Sequence, residues 1–231
     1  MVASELINRR ILYGRRTGHR LRAGRRDALA NLLPAYAIDL PESGTLDPAI
    51  LFPRSCTEYW LEVGFGSGEH VIAQAKANPA VGIIGCEPFI NGVSMLLRHL
   101  DLERLENVRV HAEDARAVID VLPPASLSRV HVLFPDPWPK RRHHRRRFIG
   151  KPTLDALSRV MRPGAELRIA TDHMECARWM LWHGLSHPAF DWLAEGPADW
   201  LTRNECESPT RYETKALAAG ARCLYFRFRR R

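Results

Sequence analysis

Tyr59-Trp60-Leu61-Glu62-Val63-Gly64-Phe65-Gly66-Ser67-Gly68 is the stretch on which the fold turns. It opens with a short apolar run and ends in three alternating glycines, so it reads as a buried strand entering a tight turn. A helix follows from about Glu69 to Ala77, stopped by Asn78-Pro79. The alternation repeats outward. Val81 to Cys86 is a second strand and Gly92 to Leu105 a helix. Val108 to His111 is a third strand, with a helix from Ala115 to Val121 closed by Pro123-Pro124. Val130 to Phe134 makes a fourth strand, Thr153 to Met161 a helix ended by Arg162-Pro163-Gly164, Glu166 to Ala170 a fifth strand, and Glu175 to Trp182 a further helix. Strands alternating with helices at this pitch predict an α/β fold, a mostly parallel sheet with helices on both faces. The tail differs: Leu224 to Phe228 alternates in the manner of an exposed or edge strand, antiparallel to the rest. Residues 1–40 are polar and basic, which predicts a partly flexible arm leading into a single domain over residues 41–231.

At 231 residues the chain can bury a proper core, and 45% hydrophobic with 26% charged residues is ordinary for a soluble globular protein. No apolar run approaches a membrane span, and the arginine-studded start lacks the apolar core of a signal peptide. Five scattered cysteines without a C-x-x-C pair argue against a disulfide framework or a zinc site. A reducing, cytoplasmic setting is expected, with no metal and with a monomer as the favoured state. Eight arginines lie between Arg9 and Arg26, six cations between Lys140 and Arg147, and four arginines between Arg227 and Arg231, with no acid inside those stretches. These eighteen of the 34 Lys and Arg leave sixteen against 26 acidic residues elsewhere. Cations concentrated on an otherwise acidic body predict a polyanion-binding face.

Gly64, Gly66 and Gly68 allow a ligand to approach the backbone at a helix N-terminus. Their G-x-G-x-G spacing is not the G-x-G-x-x-G of dinucleotide folds, and the preceding Glu62 would repel a pyrophosphate but suit an ammonium group. Glu87, ending the second strand, sits where an acid accepts from ribose hydroxyls, and Asp114, after the third, where a carboxylate can take an adenine amine. Three acids after three successive strands outline a site for a nucleoside with an amino-acid tail and no phosphate, the form of S-adenosyl-L-methionine. The fourth strand runs into Phe134-Pro135-Asp136-Pro137-Trp138-Pro139-Lys140. Two prolines stiffen this segment around one carboxylate, suited to a planar hydrogen-bonding group such as a nucleobase. The following Arg141, Arg142, His143, His144, Arg145, Arg146 and Arg147 suit the phosphates around it. As a bland alternative, the same residues make a proline turn and a solvated basic run. Asp172 follows the fifth strand, and Thr214-Lys215 reads as a loop touching phosphate or base, or as a plain surface turn. Cys86 reads as core, not as a nucleophile.

These motifs together resemble the bacterial single-subunit tRNA (guanine-N7-)-methyltransferases, over nearly everything from Arg15 to Tyr225. The Pro-Asp-Pro-Trp-Pro-Lys run with its basic continuation is the most specific part; Leu61 to Gly68 alone resembles class I methyltransferases at large. The resemblance implies a Rossmann-like class I methyltransferase fold using S-adenosyl-L-methionine. Its implied product is N7-methylguanosine in the variable loop of tRNA, at position 46. It implies cofactor binding by Glu62, Gly64, Gly66, Gly68, Glu87, Asp114 and Asp136, with Asp136 also catalytic. Lys140, Asp172, Thr214 and Lys215 would hold the substrate, and Arg141 to Arg147 the RNA backbone. The chain departs from the family where Thr-Lys is usually followed by Phe-Glu, because it has Ala216-Leu217. Two other functions are compatible with the residues alone: a class I enzyme acting on a base amino nitrogen, and a non-catalytic RNA-binding module.

Overall fold

The protein is described by a computed structural model over residues 12–203 and 208–231. Arg9, Arg10 and Cys206 lie outside these residues. Seven strands form one sheet in the order β3-β2-β1-β4-β5-β7-β6. They are β1 (Glu58–Val63), β2 (Val81–Cys86), β3 (Val108–His111), β4 (Leu127–Leu133), β5 (Met161–Thr171), β6 (Phe190–Trp192) and β7 (Leu224–Arg230). The helices are α1 (Ala23–Tyr36), α2 (Glu69–Ala77), α3 (Ile90–Leu102), α4 (Ala115–Val121), α5 (Lys151–Val160), α6 (Met174–Leu185), α7 (Ala198–Leu201) and α8 (Arg211–Ala218). β1 to β5 pair in parallel, and β7 runs antiparallel to both β5 and β6.

Register explains the core. Leu61 pairs with Ile84 on one side and Val130 on the other; Val130 pairs with Leu167, and Leu167 with Phe228. All five are fully buried in one cluster on one face. On the other face Trp60, Ile83 and Val108 meet Val93, Leu96, Leu97 and Leu100 of α3. Each such burial contributes about 1.5–3 kcal/mol.

Four departures from the sequence reading have local causes. α3 stops at Leu102 because Arg104 takes a left-handed conformation and Leu105 N–H donates back to the Leu100 carbonyl, a C-terminal cap without the usual glycine. β5 starts at Met161, because the register shift between the Leu127–Met161 and Arg129–Glu166 pairs absorbs Pro163-Gly164 as a bulge. The tail strand β7 is antiparallel but not at the edge: β6 covers its outer side, and Phe226 and Phe228 are buried. Within the basic arm, α1 forms and lays Leu29, Leu32, Leu33 and Tyr36 on the α3 side of the core. The chain then continues along the β3 edge, where Ala37 bridges Val110 and Ile38 N–H donates to the Val110 carbonyl.

The pairing also sorts the three basic stretches. Leu224 pairs with Thr171 at the carboxyl end of β5, whereas Arg229 pairs with Glu166 toward its start. Arg229 to Arg231 therefore sit at the edge of the sheet opposite the glycine turn. Arg227 bonds Glu166 and Arg231 bonds Asp191. These arginines do not join the polyanion-binding face that composition suggested; they are partly consumed as sheet-end ion pairs.

Candidate active site

At the carboxyl ends of β1, β2 and β4 a cleft of about 310 Å³ is lined by Gly64, Gly66, Glu87, Asp114 and Asp136, five of the residues singled out in the sequence. Gly64 and Gly66 have φ of +77° and +59°, a conformation that side chains rarely adopt. A Cβ on Gly64 would meet no atom within 4 Å, so the backbone there is laid bare to the cleft. The turn is held from behind. Gly66 N–H donates to Glu87 Oε2 at 2.8 Å, and Phe89 N–H donates to Glu87 Oε1 at 2.8 Å. Glu87 is nearly buried, and that burial, with Asp136 and Glu62 nearby, raises its carboxyl despite the two N–H donors. Gly68 caps α2 in the left-handed conformation, outside the cleft lining.

Glu62 lies behind the cleft, not in its wall. It is buried, with Oε2 2.6 Å from His70 Nδ1 of α2. Asp114 caps α4 through Arg116 N–H and holds the Arg116 guanidinium at 2.6 Å. Asp136 differs from these acids: it makes no hydrogen bond or ion pair among the described residues. Solvent reaches it through the cleft mouth, yet surrounding protein partly desolvates it and pushes its carboxyl above the usual aspartate range.

The loop that carries Asp136 is bracketed by two non-glycine residues in the left-handed region, Phe134 at φ 51° and Trp138 at φ 43°. Such backbone persists only where its surroundings over-determine it. Phe134 N–H is pinned to the Ala170 carbonyl. Arg147 is buried, and its guanidinium donates to the carbonyls of Pro137 and Trp138 and to Glu175. Arg147 is thus a brace for the loop and not a surface residue reaching for phosphate. Arg146 lines the cleft, its guanidinium 4.2 Å from the Tyr13 ring centroid and 5.0 Å from that of Trp138. His144 reaches Glu175 at 2.9 Å, and the His143 ring packs against Trp138. Lys140, Arg141, Arg142 and Arg145 remain exposed beside the loop.

Asp172 is exposed just past β5, on the same edge of the sheet as the cleft. Thr214 and Lys215 are not a loop. Thr210 and Glu213 form a capping box that starts α8, and Thr214 Oγ1 bonds back to the Thr210 carbonyl. Neither lines the cleft; Tyr212 from the same helix does, with its ring over the Gly66 turn. Ala216 is buried and Leu217 exposed.

Sequence reasoning missed Tyr13, Arg15, Arg116, Phe148 and Tyr212, all of which line the cleft. Thr210-x-x-Glu213 was a readable helix start, and Arg116 stood two residues from a singled-out acid. Nothing local marked Tyr13, which arrives because Arg16 bonds Glu113, Ile90 N–H donates to the Arg16 carbonyl and Asn91 clasps Gly18 and His19. Cys86 is fully buried, and burial raises its thiol, in keeping with a core role. Among the described residues no His/Cys/Asp/Glu cluster could hold a metal. No described helix is long and apolar enough to cross a membrane.

Bare glycine backbone, carboxylates on three sides and room for a nucleoside fit a cationic, nucleoside-bearing cofactor. The fold agrees: an rRNA methylase from Streptococcus thermophilus superposes with a TM-score of 0.51 at 10% identity, over 79% of this chain and 91% of that one. Fold and site define a class I S-adenosyl-L-methionine-dependent methyltransferase. Residues 57–225 match a family described as putative methyltransferase. Over 222 residues the chain is 50% identical to a tRNA (guanine-N(7)-)-methyltransferase of Rhodospirillum rubrum, covering 95% of this chain and 87% of that protein. It is 46% identical to one of Azorhizobium caulinodans over 227 residues, 98% of each. The chain belongs to the tRNA (guanine-N7-)-methyltransferase family.

Proposed function

We infer that the protein methylates N7 of a guanine in tRNA, and that this guanine is the one at position 46 of the variable loop. Asp136 carries the reading: a carboxylate with no described partner, on a braced and strained loop, between a nucleoside-sized cleft and a row of exposed arginines. S-adenosyl-L-methionine, when bound, supplies an activated methyl group on a sulfonium. Gly64 and Gly66 would pass its amino-acid tail along the backbone, Glu87 would face the ribose, and Asp114 the adenine. Glu62 and Gly68 serve the same ligand indirectly, by fixing the turn.

Guanine N7 presents an in-plane lone pair and has no proton to lose, so the residues need not include a strong base. Their task is positioning. Positive charge develops on the purine during transfer, and the carboxylate of Asp136 offsets it in a partly dry site. The same oxygens would accept the guanine N1–H or amino hydrogens. Lys140, Asp172, Arg141, Arg142 and Arg145 would guide the RNA, with residues 41–231 as the catalytic unit and 1–40 as a basic arm whose described part, from residue 12, docks on it. Thr214 and Lys215, exposed on α8 outside the cleft, would stand only at the margin of the RNA path. The working compartment on this reading is the cytoplasm.

Incubation with S-adenosyl-L-methionine and unmodified tRNA, followed by nucleoside mass spectrometry, is the test. N7-methylguanosine mapping to position 46 is expected. A base methylated on an amino nitrogen would reassign the target atom, and no methylated nucleoside despite cofactor binding would reduce the protein to an RNA-binding module.

A further inference from the structure

Beside the cofactor cleft lies a second pocket of about 360 Å³, comparable in size to the first. Arg116 and Phe148 line both, so a single layer of side chains separates them. Its far wall is a ladder of rings: His144 and Trp179 with centroids 5.4 Å apart, then Trp179 and His183 at 4.4 Å. The ladder is fixed. Trp179 Nε1 donates to the Ile149 carbonyl at 2.6 Å, and the Arg147 guanidinium sits 5.1 Å from the Trp179 ring. Exposed Arg145 and Lys151 also line the pocket.

A gap left by imperfect packing would be small and apolar. This one is large and lined by aromatic rings, with Arg145 exposed at its rim, Lys151 beside it in an exposed ion pair with Asp155, and one acid, Asp120, in its wall. Rings beside cations take bases by stacking and phosphates by charge. One further observation points to a missing occupant. His183 Nε2 is buried and has no hydrogen-bond partner among the described residues, a state that costs free energy and that a ligand could relieve after a turn of the ring. Burial lowers the His183 pKa, so the ring stays neutral and can both donate and accept.

We propose that this pocket is a subsite for the nucleotide adjoining the methylated guanine in the substrate RNA. The proposal rests on the methyl-transfer reading above, and it extends the RNA path beyond Arg141, Arg142 and Arg145 onto α5 and α6. One nucleotide enters the cleft for chemistry; its neighbour docks against the ring ladder with its phosphate toward Arg145 and Lys151. The neighbour then helps to set the depth and angle at which the guanine is presented.

The experiment uses the full chain and three tRNA transcripts: intact, abasic at the residue 5′ of the target, and abasic at the residue 3′ of it. Each is assayed for kcat/KM with the native protein, His183→Ala and Lys151→Ala. One of the two abasic transcripts should lose about tenfold in kcat/KM with the native protein, within the range of base–aromatic stacking. With His183→Ala the intact transcript should fall to a similar rate, and the abasic change should then make no further difference. Lys151→Ala should raise KM for every transcript alike. Cofactor affinity, measured separately, should be unchanged in both variants, which separates subsite loss from misfolding. Equal rates on all three transcripts, or abasic sensitivity that persists in His183→Ala, would overturn the subsite while leaving the methyl-transfer reading intact. No N7-methylguanosine from the native protein on intact tRNA would overturn both.

Discussion

Glu62, Glu87 and Asp114 have their oxygens engaged by the protein itself, by His70, by two backbone N–H groups and by Arg116, whereas Asp136 has no such partner among the described residues. All four stand at the same edge of one sheet. The first three are fixtures that shape the glycine turn and the cleft wall before any ligand arrives. The fourth is held in place by its backbone alone, through two prolines and the Arg147 brace, and its charge is left for something else to meet. Acids of the same kind at equivalent strand ends can thus divide labour, with architecture on one side and chemistry on the other.

Asp136→Ala should break the comparison most sharply. We expect kcat to fall by about 10²–10³-fold, the scale of losing one pre-placed electrostatic group, with tRNA affinity within a few-fold of native in a filter-binding assay. Asp136→Asn carries a second expectation. Burial raises the folded-state pKa of this acid, so the folded chain binds its proton more tightly than the unfolded chain, and native stability falls as pH rises through the raised value. The Asn variant should therefore melt higher than the native protein at neutral pH. That advantage should disappear below the ordinary aspartate range, where both side chains are neutral. Equal melting temperatures at neutral pH would mean the carboxylate is fully solvated.

Glu87→Ala tests the architectural side. Loss of the acceptor for two N–H donors should cost about 1–3 kcal/mol of stability and raise the KM for S-adenosyl-L-methionine while leaving that for tRNA nearly alone. A change confined to tRNA binding would erase the division. Next in size, replacing Arg141, Arg142 and Arg145 together by Ser should weaken tRNA binding and reduce its log–log salt slope by roughly 0.7–0.9 for each phosphate no longer neutralised. Arg229→Ser, at the far edge of the sheet, should leave that slope unchanged. The smallest effect is expected from Thr214→Ala, whose hydroxyl serves its own helix: a shift of no more than about 1 kcal/mol in melting and little change in kcat/KM.

Much of the fold was legible because its strands are continuous apolar runs and its turns carry glycine or proline. β1, β2, β3 and their connecting helices were found to within a few residues for this reason. The tail strand was misplaced because Leu224-Tyr225-Phe226-Arg227-Phe228 alternates as an edge strand would. Only the pairing shows that β6 covers it and that Glu166 receives Arg227. In the cleft, Gly64, Gly66, Glu87, Asp114 and Asp136 were recognisable from their places after successive strands. The roles of Glu62 and Arg147 were not, because each is decided by a partner eight to ten residues away along the chain that only folding brings into contact, His70 for the one and the carbonyls of Pro137 and Trp138 for the other. A run of six cations reads uniformly, yet one is a brace, one lies against two rings, and four face solvent.

The bridge from Ala37 to Val110 has a consequence for how this protein behaves in a crowd of its own kind. A sheet edge with free N–H and C=O groups invites another chain to add a strand, and proteins blunt such edges with short strands or covering segments. Here the β3 border is overlaid by the segment leaving α1, and the opposite border is the three-residue β6. The end of the basic arm therefore doubles as a guard against self-association: a chain shortened past Ile38 would expose β3 and be prone to aggregate even where the acids of the cleft are intact.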